Sequence, residues 1–110
     1  IRGANLNLQK YTGETFVACV ADGSVSVYHD NTVKLATAST GVNVSGVIQH
    51  SVYTVATLAS SIGASFLAAG MRSFVSDSAN SLASHHGQTV AAGGANFVPV
   101  FYDGTNWIVG

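Results

Sequence analysis

Three features of the sequence predict a mainly β fold of short antiparallel strands and hairpins. Apolar residues alternate with a period of two, turn-forming pairs separate the alternating runs, and the runs are rich in β-branched side chains. Such strands build either a small sandwich or a structure interleaved between chains, because both carry the same alternation. One short helix is expected near residues 59–69. Residues 1–46 read as a β-meander and residues 47–110 as a second β-rich segment ending in a hairpin, the two forming one compact unit.

The meander rests on the pairs Leu6 and Leu8, Val25 and Val27, Val33 and Leu35, and Val42 and Val44. Between them stand Thr12-Gly13, Asp22-Gly23, Asp30-Asn31 and Thr40-Gly41, which accept positive φ or cap a reversal with a side-chain oxygen. The run Glu14 to Ala21 is apolar on both faces, with Phe16, Ala18 and Val20 on one and Val17, Cys19 and Ala21 on the other. Double burial is hard to supply from a single chain of 110 residues and easy from a second copy, so a homo-oligomer is expected.

Residues 47–58 continue the strand pattern through Val47, Ile48, Val52, Tyr53, Val55 and Leu58. From Ala59 to Ala69 the chain turns to Ala, Ser and Gly, and Ile62 and Phe66 stand one helical turn apart, which predicts the helix. Met71–Ser76 reads as a strand, Asp77-Ser78-Ala79-Asn80 as a turn, and residues 77–96 as mostly loop. The clearest local signal is the closing hairpin, where Phe97–Tyr102 and Asn106–Val109 flank Asp103-Gly104-Thr105. Pro99 marks an edge or bulged strand.

Composition narrows the function. Hydrophobic residues make up 47% and charged residues 8% of the chain, about a third of the usual charged share, which excludes a disordered tail and points to a surface facing another protein. Lys and Arg number four and the net charge is −1, too little basic charge for nucleic acid. Asp, Ser, Thr, Gly or Asn interrupts every valine-rich stretch, so no apolar run is long enough to span a membrane. Cys19 is the only cysteine, which leaves no internal disulfide and no multi-cysteine zinc site. The opening Ile1-Arg2-Gly3 has no signal-peptide pattern, and the chain reads as a piece of something longer.

No residue is nominated for catalysis, and no cofactor is expected. The five carboxylates have turn or strand-end settings: Asp22 and Asp103 precede glycine, Asp30 precedes Asn31, Asp77 opens a Ser-rich loop and Glu14 opens a strand. Their spacing nominates no glycosidase pair. No Gly-x-Ser-x-Gly elbow occurs, and Gly93-Gly94 lacks the lysine of a phosphate loop. His85-His86 invites a metal on a threefold axis, but adjacent side chains of an extended segment face opposite sides and no Cys or carboxylate stands nearby, so no metal site is assigned. The polar stretch Asn80–Gln88 is the candidate recognition loop. Phe97, Phe101, Tyr102 and Trp107 cluster at the closing hairpin and read first as core or subunit contacts, with Tyr102 and Trp107 also suited to stack on a sugar from the rim.

Two stretches resemble a recurrent module of bacteriophage tail-fibre and related virion proteins. In the first, Asp22-Gly23-Ser24-Val25-Ser26-Val27-Tyr28, Asp30-Asn31, Lys34-Leu35 and Thr40-Gly41-Val42-Asn43-Val44-Ser45-Gly46 follow the fibre-repeat order. In the second, Arg72 to Asp77, Val90 to Gly94 and Val98 to Trp107 resemble the C-terminal ending of such fibres. Tyr102 and Ile108 depart from that ending, which commonly carries a small residue or cysteine and an arginine there.

The resemblance implies a virion structural protein of a phage tail or other surface appendage, a homotrimer, with interleaved trimeric strands among its possible folds. The expected partners are other virion proteins and a host surface glycan or protein receptor. His85, His86, Gln88, Tyr102 and Trp107 are the candidate receptor-binding residues. The alternative is a capsid, neck or collar module that docks another virion protein.

Overall fold

The computed structural model describes residues 2–110. Among the described residues nine strands form two sheets, and the chain divides into a first unit ending at Ile48 and a second unit, Gln49–Gly110.

The first unit is a five-stranded antiparallel meander in sequence order: β1 (Leu6–Gln9), β2 (Thr15–Cys19), β3 (Val25–His29), β4 (Thr32–Ala38) and β5 (Gly41–Val44). Its reversals follow the turn chemistry of the sequence. Between β3 and β4 the two loop residues Asp30 and Asn31 have φ of 50° and 56°, the positive pair that matches the twist of a two-residue hairpin. Between β2 and β3, Asp22 takes φ 53° and Val20 N–H donates to the Ser24 carbonyl at 3.1 Å. The β1–β2 reversal holds the Lys10–Glu14 ion pair at 3.9 Å. Lys34 is the extra residue of a bulge in β4, because Val33 stands opposite Tyr28 while Leu35 stands opposite Val27.

The double burial expected of residues 14–21 is absent from the single chain. Val17, Ala18 and Cys19 are half-buried and Phe16 is exposed. The reason is that, among the described residues, no second layer covers this sheet within its own unit: every buried hydrophobic residue described lies at Leu58 or beyond.

The second unit pairs β6 (Val52–Tyr53), β7 (Arg72–Ser78), β8 (Asn96–Tyr102) and β9 (Trp107–Val109) in that order, the first pair parallel and the others antiparallel. The parallel step needs a crossover, and α1 (Val55–Ile62) with a 3-10 turn at Ala64–Phe66 supplies it. α1 begins earlier than the Ala-rich stretch predicts, converting Val55 to Leu58 from expected strand to helix. Thr54 Oγ1 accepts from Thr57 N–H while Thr57 Oγ1 accepts from Thr54 N–H, each at 3.2 Å, a reciprocal cap that starts the helix there. Gly63, at φ 89°, ends it. The core joins Leu58 of α1 to Val75, Val98, Val100, Trp107 and Val109 of the sheet, with Val90 from the connection before β8.

Three further expectations shift. β7 continues through Asp77 and Ser78, which were expected as turn, because a bulge sets Ser76 and Asp77 opposite Phe97 alone and prolongs the pairing. The connection before β8 contains α2 (Leu82–His85). Pro99 stands in an interior strand, between β7 and β9, and its carbonyl accepts from Gly110 N–H at 2.9 Å. Among the described residues no helix is long and apolar enough to cross a membrane.

Candidate interaction surfaces

The connection from Ala79 to Ala95 is mostly exposed, Val90 apart, yet tied to the sheet by hydrogen bonds. At its start, Ala79 N–H donates to the Ala91 carbonyl and Ala91 N–H donates to Asn80 Oδ1, both at 2.8 Å, while Asn80 N–H donates to Ser78 Oγ at 3.0 Å. At its far end the chain runs beside β9: Gly87 N–H donates to the Val109 carbonyl, Val109 N–H to the Gln88 carbonyl and Val90 N–H to the Trp107 carbonyl, each at 2.8 Å. These bonds add a short strand-like edge to the sheet and fix the orientation of α2 and the residues after it.

Within this segment His86 and Gln88 are exposed, and His85 is half-buried with Nδ1 3.3 Å from the Ser81 carbonyl. The two histidines therefore have different settings, one held against its own helix and one free to meet a ligand. Tyr102 and Trp107 are neighbours, their rings 5.3 Å apart and tilted by 48°. Trp107, however, is 8% exposed and belongs to the core. It shares its sheet face with Val109, its period-two neighbour in the same core cluster, so the core setting read first from the sequence holds and the alternative of stacking on a sugar from a rim is not available. Its indole Nε1 is buried without a hydrogen-bond partner. Tyr102 is half-buried against the same core. The five candidates thus separate into an exposed pair, His86 and Gln88, a half-buried His85, and a packed aromatic pair.

The carboxylates make structural hydrogen bonds or sit in reversals. Asp103 accepts from the N–H groups of Asn106 and Thr105, each at 2.7 Å, and these bonds hold its carboxyl below the ordinary carboxylate pKa. Asp77 accepts from Val55 N–H at the start of α1. Among the described residues no three His, Cys, Asp or Glu side chains gather where they would hold a metal ion.

No family model, curated protein or solved structure matches the chain. Its surfaces must be read from their own chemistry.

Two apolar surfaces lie outside the five candidate residues. On the second sheet, His50, Phe74 and Phe97 form a file of rings with centroid spacings of 5.8 and 5.3 Å, and Phe97 is 60% exposed. On the first sheet, cross-strand partners Leu8, Val17, Val27, Leu35 and Val44 make one unbroken apolar row over all five strands. Leu6, Cys19 and Val25 extend the same face. A groove of about 300 Å³ runs there between Leu6, Leu8, Val17 and Cys19. The intervening row, on the opposite face, is Asn7, Ala18, Ser26, Ala36 and Asn43. The alternation that carries this pattern is visible in the sequence; the register that aligns it into a row is not.

Proposed function

We propose that this chain is a non-enzymatic module of a bacteriophage tail fibre or similar virion appendage, which takes part in host attachment as a homotrimer. The observation that carries the reading is the exposed segment with His86 and Gln88, tied to the sheet by backbone hydrogen bonds at both ends. A recognition loop fixed in this way loses little conformational freedom on binding. Three copies on one rigid axis convert a weak site for a host glycan or protein receptor into avid attachment. The carboxylates support the same reading, since those of Asp77 and Asp103 are engaged with backbone N–H groups and Glu14 with Lys10.

Phe97, 60% exposed at the end of the His50–Phe74–Phe97 ring file, favours a second reading, a capsid, neck or collar module that docks another virion protein. The test is adsorption of virions carrying His85→Ala, His86→Ala and Gln88→Ala together. Reduced adsorption with the oligomeric mass retained is expected. Unchanged adsorption removes the loop from the site, and a heteromeric contact through Phe97 in purified particles then supports the docking module.

A further inference from the structure

We infer that the apolar face of the first sheet is covered by the same face of other copies of this chain. The inference names the surface that holds the homo-oligomer together, and it rests on the fibre reading only for the number of copies.

The sheet has no cover in its own unit. Leu8 is 61%, Val42 57% and Leu6 44% exposed, and even Val27, on the central strand, is 41% exposed. A sheet with one apolar face requires a second layer on that face to be stable in water. Five strands at about 4.8 Å spacing, with about five residues each at about 3.4 Å rise, give a face of about 400 Å² in plan. Two such faces bring about 800 Å² together, and more once side-chain relief is counted, approaching the roughly 1,200 Å² total of the smallest stable interfaces.

The chemistry of the face selects its own copy as occupant. No charged residue stands among the paired residues of the apolar row: Lys10, Glu14, Asp22 and Asp30 lie at reversals, and Lys34 is the unpaired residue of the bulge before Leu35. The row itself carries no charge that repels an identical row or that would specify a different protein. The groove beside Val17 and Cys19 is apolar and takes an aliphatic side chain from the opposing row.

Light scattering of the full chain, with maleimide labelling of Cys19, tests this. The wild type is expected at two or three times 11.2 kDa, with Cys19 labelled slowly at high concentration and faster on dilution. Val27→Lys, at the middle of the row, is expected to give a single-chain mass and rapid labelling, whereas Asn43→Lys on the opposite face keeps the wild-type mass. Emission of Trp107, in the other unit, reports whether each variant keeps that unit folded. If Val27→Lys unfolds, the dilution dependence of wild-type labelling decides, and a rate independent of concentration overturns the inference. A wild-type monomer with protected Cys19 overturns it too, because the chain then covers its own face. An oligomer that survives Val27→Lys with freely labelled Cys19 overturns this interface and leaves the fibre reading standing; a threefold mass supports both.

Discussion

Asp77 of β7 accepts a 2.7 Å hydrogen bond from the backbone N–H of Val55, the first residue of α1. The carboxylate satisfies one of the helix's unpaired donors and lies at the positive end of its dipole. Because β7 bulges at Ser76 and Asp77, a defect in one ladder fixes the start of the crossover helix. Asp77→Ala is expected to destabilise the second unit by about 1.5–3 kcal/mol. Asp77→Asn retains an acceptor and costs less. Denaturant unfolding followed by Trp107 emission measures both, and equal losses would rule out a role for the charge.

Gly94 lies where a Cβ would meet the Ser78 carbonyl oxygen and come within 2.6 Å of the Ala79 Cα. Its N–H donates to the Asp77 carbonyl at 3.0 Å, so the two backbones cannot separate without losing that bond. Gly94→Ala is expected to destabilise by about 1–3 kcal/mol through overpacking. It also loosens the base of the recognition segment, which hydrogen exchange of Ala79 and Ala91 reads directly. Unaltered exchange and stability would contradict the close approach.

Trp107 combines a buried ring with an indole N–H that has no partner. Trp107→Ala removes the ring and is expected to cost about 3–5 kcal/mol. Trp107→Phe keeps an aromatic ring beside Tyr102 and deletes the orphaned donor, so part of its packing loss is offset and its cost is much smaller. Circular dichroism melts of the two variants provide the comparison. Similar costs for both would mean that the indole N–H is satisfied in solution.

Acid is expected to weaken the closing hairpin through Asp103. Folding lowers this pKa, first through the Asn106 N–H and then through that of Thr105. The contribution of the ionised group is therefore fully present above the unfolded value, about 3.9, and disappears as pH falls through the lower folded value. The stability difference between wild type and Asp103→Asn should narrow below about pH 4. A difference that stays constant from neutral pH into that range would refute the assignment.

The reversals were the most legible part of the fold. Asp30-Asn31 and Asp103-Gly104 carry their conformations in local chemistry, and the structure builds tight turns at both. The start of α1 was hidden because Val52, Tyr53 and Val55 favour strand locally, while the helix depends on Thr57 reaching back to Thr54 and on Asp77, distant in sequence. Trp107 was ambiguous for a related reason, the core reading coming first and a sugar-stacking rim second. Its composition suits a rim as well as a core, and only its position opposite Tyr102 in the β8–β9 ladder, beside Val109, turns it inward. The apolar alternation of the meander was plain, but the register that lines Leu8, Val17, Val27, Leu35 and Val44 into one row depends on strand pairing that the alternation alone does not fix.

The parallel pairing of β6 with β7 sets an order of assembly. Parallel neighbours cannot zip from a tight turn, so the second unit must form α1 and close a long loop before that pairing is rewarded. Each pair in the first sheet closes through a short reversal. The meander is thus the faster element, and it also emerges first during synthesis. Its Leu8-to-Val44 row then stands in water with β1 and β5 as the edge strands of the sheet; under the inferred pairing of like faces, the local density of nascent chains becomes a determinant of yield, because an uncovered apolar sheet with free edges is prone to aggregate.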